Sequence, residues 1–157
     1  MLRMKLITVV ALAAILSFPA QLRAENSCRN IKGHISGQII GPDPACQGGT
    51  TEIGTFTGNP SGTFVACITS VQQRGNGELI FELAHTYTTT TGDTFKTTDR
   101  VVAHPLNPPV YSIQNRAKIT GGTGLYEDAF GSSHDHGTVD LGAGVVSVDY
   151  EGRICTP

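Results

Sequence analysis

Four side chains offer polar chemistry inside otherwise apolar surroundings in this sequence: Tyr87, Asp99, Tyr111 and Asn115. Each lies in a run where apolar residues recur at every second position. Leu79, Phe81, Leu83, His85 and Tyr87 share one parity between Glu78 and Thr89. Phe95, Thr97, Asp99, Val101 and Ala103 share one parity of the next run, and Tyr111, Ile113, Asn115, Ala117 and Ile119 that of a third. A pleated strand sends alternate side chains to one face. Turned inward, these faces would form a lumen with aliphatic walls and a few polar groups, the usual make-up of a small-molecule site. Asp99 could then act as a base, with Tyr87 or Tyr111 donating a hydrogen bond. A buried Asp99 needs partners or a raised pKa, because burying charge is costly. The competing account is a polar network that only fixes the core, with Asp99 near Arg100 or Arg116 at a rim, since eight-stranded barrels can be filled by side chains alone.

His134-Asp135-His136 is the second constellation. Histidines two apart on a strand point the same way and could share a metal. Asp140 follows at a spacing seen in cupin sites, and His104 or His85 could add a ligand. A solvated polar strand explains the same residues, and no second cupin-like motif follows. The expectation is no metal and no cofactor, with His134 and His136 the candidates should a metal bind. Other signatures are missing. Gly121 to Gly124 lacks the Gly-Lys-Ser/Thr of a phosphate loop, and there is no Gly-x-Ser-x-Gly nucleophile motif.

The elements that must position these residues read as strands throughout. Ile31, Gly33, Ile35, Gly37 and Ile39 alternate with Lys32, His34, Ser36 and Gln38. Runs follow at Thr50 to Thr57 and Thr63 to Val71, the latter with Phe64, Ala66 and Ile68 on one face. The hairpin Glu78 to Thr89 and Thr94 to His104 turns at Gly92-Asp93. Pro105, Pro108 and Pro109 mark a loop, because proline cannot donate in a central ladder. Val110 to Thr120, Ala129 to Leu141 and Val145 to Cys155 complete about eight strands with regular turn signals, which predicts an all-β sandwich or closed barrel. The first and last runs are both apolar on one parity, as expected if they pair and close an antiparallel barrel.

The N-terminus reads as a cleaved secretory signal over residues 1–24. Arg3 and Lys5 precede the apolar run Leu6 to Leu16, Pro19 ends any helix, and Leu22-Arg23-Ala24 offers a cut after Ala24. The run is shorter than the roughly 20 residues that span a bilayer. Residues 25–157 then form one domain, secreted or periplasmic and not membrane-bound. Net charge is −2 and charged residues make up 15% of the chain. No Lys/Arg cluster lies beyond the signal, which argues against nucleic acid as a partner.

Four cysteines remain: Cys28, Cys46, Cys67 and Cys155. Zinc would want close Cys pairs, and the spacings are far wider. An even count in an oxidising space predicts two disulfides. Four cysteines allow three pairings. Barrel closure would bring Cys28 to Cys155 on the outward parity of their strands, leaving Cys46 for Cys67.

Thr94-Phe95-Lys96-Thr97-Thr98-Asp99-Arg100, followed by Ile119-Thr120-Gly121-Gly122-Thr123-Gly124-Leu125-Tyr126 with Ala129 and Gly131, resembles the barrel family of allene oxide cyclases and dirigent proteins, in particular its bacterial exported relatives. The resemblance covers roughly residues 78–154. It implies an eight-stranded antiparallel closed β-barrel with a mostly apolar cavity, and often a homo-oligomer. Plant members cyclise an unstable fatty-acid epoxide or steer the coupling of phenolic radicals. None of their functional side chains matches position by position, so none is carried over. The shared glycines allow turns with positive φ. Three functions follow as expectations: an exported barrel binding a small apolar or phenolic molecule, an oligomeric interaction scaffold, and a cyclase, isomerase or stereochemical guide.

Overall fold

The structure, a computed structural model, describes residues 26–47 and 49–157. The signal segment read at residues 1–24 lies outside them. Eight strands follow one another: β1 (Ser27–Pro42), β2 (Thr50–Phe56), β3 (Gly62–Gln73), β4 (Leu79–Thr89), β5 (Thr94–Asn107), β6 (Val110–Gly122), β7 (Phe130–Asp140) and β8 (Val145–Thr156). Each pairs antiparallel with the next, and β8 returns to β1, giving a closed barrel. The closing seam is continuous from Ser27↔Thr156 to Gln38↔Val145. Closure leaves neither edge of this sheet unpaired, which removes the usual template for edge-to-edge aggregation.

Period-two alternation explains the core. Ile31 and Ile35 from β1, Phe64 and Ala66 from β3, Leu83 from β4, Val101 from β5, Ile113 from β6 and Val148 from β8 all belong to one buried cluster. Their neighbours in sequence face water. One loop reading fails locally. Pro105 does not begin a loop: β5 continues through it to Asn107, with a register shift between Pro105 and Asn107 opposite β6. A bulge is one of the few places where a strand tolerates a residue without an N–H.

The two ends of the barrel differ. One end holds the β2–β3, β4–β5 and β6–β7 connections. There the glycine-rich segment after β6 makes a single 3-10 turn over Gly124–Tyr126 and inserts Tyr126, only 2% exposed, beneath the barrel. Gly124 takes φ +58°, and a Cβ there would lie 1.9 Å from the Asp93 carboxylate, so the turn needs glycine. Arg29 from β1 hydrogen-bonds the Tyr126 hydroxyl. Aromatic rings fill this half: Tyr87 stacks on Phe95 with centroids 4.6 Å apart, and Phe56 meets Tyr87 edge-on at 5.2 Å. The opposite end, with the β1–β2, β3–β4, β5–β6 and β7–β8 connections, is lined by aliphatic side chains and is not filled.

Two disulfides brace the barrel. Cys28 and Cys155 face each other across the closing seam, with Cα atoms 4.0 Å apart. Cys46, in a 3-10 turn after β1, joins Cys67 of β3. Cys155 lies on the outward parity of β8 yet is buried. Its register partner across β7 is the large side chain Phe130.

Candidate functional site

The site is a polar layer inside the barrel, built by four consecutive strands. β4 contributes His85, β5 Thr97 and Asp99, β6 Asn115, and β7 Ser133 and Asp135, all buried. Asn115 lies directly opposite Asp135 in the β6–β7 register. Asp99 lies opposite Leu83, one inward position away from His85. These offsets allow a chain of hydrogen bonds to step round the wall. His85 Nδ1 is 2.8 Å from Asp99 Oδ2. The Thr97 hydroxyl donates to the same oxygen at 2.6 Å. Asn115 Nδ2 donates to Asp99 Oδ1 at 2.9 Å and to Asp135 Oδ2 at 2.7 Å. The Ser133 hydroxyl donates to Asp135 Oδ1 at 2.9 Å.

The layer is not wholly satisfied. Asn115 Oδ1 is fully enclosed and has no hydrogen-bond partner. The amide cannot be turned to rescue it, because the NH2 group must face two carboxylates. Glu52 from β2 is 4% exposed, and no hydrogen bond to its carboxyl enters the forces that set its pKa. Its niche exists because position 37 is glycine: a Cβ on Gly37 would lie 2.1 Å from Glu52 Oε1.

The electrostatics follow from burial and pairing. For Asp99, burial favours the protonated acid, but His85 and the hydrogen bonds from His85, Thr97 and Asn115 outweigh it and lower the pKa. For His85, burial disfavours the charge, yet Asp99 and more distant Glu52 and Asp135 raise the pKa. Burial raises Glu52, against some relief from His85. Burial also raises Asp135, despite hydrogen bonds from Ser133 and Asn115. Tyr87 is pushed well above its ordinary value, first by burial and then by Asp99.

Above this layer lies a cavity of about 60 Å³, walled by Ile35, Ile68, Leu83, Val101, Ile113 and Val148. Its polar lining is Glu52, His85, Tyr87, Asn115 and Asp135. Partly buried Ile39, Leu79, Tyr111 and Leu141 pack on the same core. A second space of about 20 Å³ lies toward the aromatic end, and Tyr87 lines both.

The structure thus distributes the four sequence candidates unequally. Tyr87 and Asn115 line the cavity. Asp99 sits behind that lining, held by three side chains. Tyr111 is only half-buried and does not line the cavity. Asp99 meets neither Arg100 nor Arg116: Arg100 points outward and pairs with Glu82 at 2.8 Å. His134 and His136 are exposed on the outer face of β7, while Asp135 between them turns inward. Strand alternation explains this, since the parity that aligns the two histidines also excludes them from the lumen. Among the described residues no group of three or more His, Cys, Asp or Glu is arranged to hold a metal.

Glu52 was missed by sequence reading. The signal was parity: counting back from Phe56 through Gly54 places a glutamate on the inward face. The role of Asp135 was obscured by the histidines on either side.

No protein-family model matches the chain. No curated protein matches it either. Among solved structures, a pterocarpan synthase dirigent protein is similar, with a TM-score of 0.48 and 15% sequence identity, covering 85% of this chain and 87% of that one.

Proposed function

We propose that this is an exported barrel whose lumen binds a small molecule with an apolar body and a polar end. The apolar-walled cavity ending on an incompletely satisfied polar layer carries the reading. Buried polar atoms without partners are rare in proteins, and a ligand group is one way to complete them. The cavity is small beside the 300–1,000 Å³ common for drug-sized ligands. It therefore takes a narrow head, with the rest of the ligand at the mouth beside Ile39 and Leu141. A phenol fits this description, and so does a straight aliphatic chain. Export is supported by the signal-like N-terminal sequence and by two disulfides, which persist in oxidising compartments.

A second reading, a proton-transfer enzyme of the isomerase or cyclase class, is favoured by His85. Its Nδ1 is held by Asp99, and the ring lines the cavity, so Nε2 is the nitrogen free to exchange a proton with a bound molecule. An oligomeric scaffold remains the third expectation, to be tested by sedimentation.

Native mass spectrometry of protein purified from its own host tests the binding reading. A co-purified small molecule, lost on filling the cavity with Leu83→Trp, supports it. A ligand-free wild type that gains no mass when incubated with host extract overturns it.

A further inference from the structure

Resting on the lumen-binding reading, we propose that the deep end of the cavity takes a cation: the ammonium head of a small aliphatic amine, set against Glu52 and Asn115 Oδ1. Both residues line the same cavity. Glu52 is 4% exposed, and among the described residues no hydrogen bond contributes to its pKa. Asn115 Oδ1 is enclosed and unpaired, and its orientation is locked by Asp99 and Asp135 on the amide side.

The charge inventory points the same way. Glu52 on β2, Asp99 on β5 and Asp135 on β7 share the interior with one imidazole, His85 on β4. No Lys or Arg is buried among the described residues. His85 is matched by Asp99 at 2.8 Å, which leaves Glu52 and Asp135 without a cationic partner. Both carboxyls hold their protons more tightly than usual because burial penalises their charge. Of the facing groups, Tyr87 resists ionisation for the same reason and stays neutral.

An ammonium has three donors and no acceptor, so it suits a floor of acceptors. A carboxylate ligand would add one more acid to an interior that already holds three carboxyls and a single imidazole. A neutral alcohol could satisfy one acceptor but would not stabilise the carboxylate form of Glu52. The aliphatic walls cover the alkyl chain, and their narrow spacing favours an unbranched one. Burial makes the Glu52 carboxyl hold a proton more readily than usual, and a bound ammonium would favour its carboxylate form, so binding is coupled to loss of whatever proton Glu52 carries.

Hexylamine, hexanol and hexanoate share one shape and differ in the head group. Isothermal titration in buffers of different ionisation enthalpy, with amide NMR shifts to locate the site, distinguishes them. Hexylamine is expected to bind at least about tenfold tighter than hexanol, the scale of a hydrogen bond to a charged group, with proton release that grows as the pH is lowered and with shifts at Leu83 and Asn115. Hexanoate is expected not to bind. Glu52→Gln should abolish proton release and erase the amine preference while hexanol binding persists. Equal affinities for amine and alcohol, a preference unchanged in Glu52→Gln, or amine shifts confined to the outer face would overturn the cation assignment and leave lumen binding standing on the hexanol result. No shift at Leu83 or Asn115 with any of the three would overturn both readings.

Discussion

His85 and Asp99 meet at 2.8 Å in the interior of the barrel, with side chains 8% and 0% exposed. They come from adjacent strands but are not register partners, since His85 faces Thr97 and Asp99 faces Leu83. The pair is the charged centre of the polar layer, and each partner supplies what the other lost on leaving water.

Breaking the pair should therefore cost more than removing either side chain's packing. Asp99→Ala leaves His85 buried with its nearest counter-charge gone, and is expected to lose about 3–5 kcal/mol. Urea unfolding at pH 6 measures it. A double-mutant cycle with His85→Ala should show coupling of about 1 kcal/mol or more.

The pH dependence of stability follows from four shifted groups. The lowered pKa of Asp99 gives stability that is present above 3.8 and lost as pH falls through its folded value. The raised pKa of His85 gives stability that is present below 6.5 and lost as pH rises through its folded value. Glu52 and Asp135 bind protons more tightly in the fold, so stability also declines as pH climbs from 4.5 and 3.8 through their raised values. Melting temperature should peak on the acid side and fall toward pH 8. Glu52→Gln should make that fall shallower, and a steeper fall would contradict the assignment.

Gly37→Ala places a methyl group 2.1 Å from Glu52 Oε1 and 3.2 Å from the Phe64 ring. Overpacking of this kind costs about 1–3 kcal/mol. Adding Glu52→Ala should recover part of the loss, which thermal melts of the single and double variants will show.

The disulfides should differ in weight. Cys28–Cys155 closes a sequence separation of 127, and Cys46–Cys67 one of 21. In the chain-entropy model these contribute about 5 and about 3 kcal/mol. Paired Cys→Ser variants, unfolded in urea, should follow that order.

Much of the architecture was legible because strand alternation is a local property. Ile31 to Ile39, the Glu78–Thr89 run and Val146 to Ile154 carry their inward face in their own sequence, and all of it is buried or half-buried as the parity requires. Pro105 misled because its cost depends on whether the partner strand needs the missing N–H, which only the bulge opposite Tyr111 decides.

The site divides differently. Sequence alone determined that Tyr87, Asp99 and Asn115 each share the apolar parity of their strand, because alternation along a strand needs no knowledge of the neighbours. Only the tertiary structure decided that Asp99 reaches His85 and not an arginine, that Asp135 joins through Asn115, and that Glu52 shares their compartment. Those meetings depend on the stagger between strands and on closure of the sheet, which bring together residues from β2 to β7 that no local pattern connects.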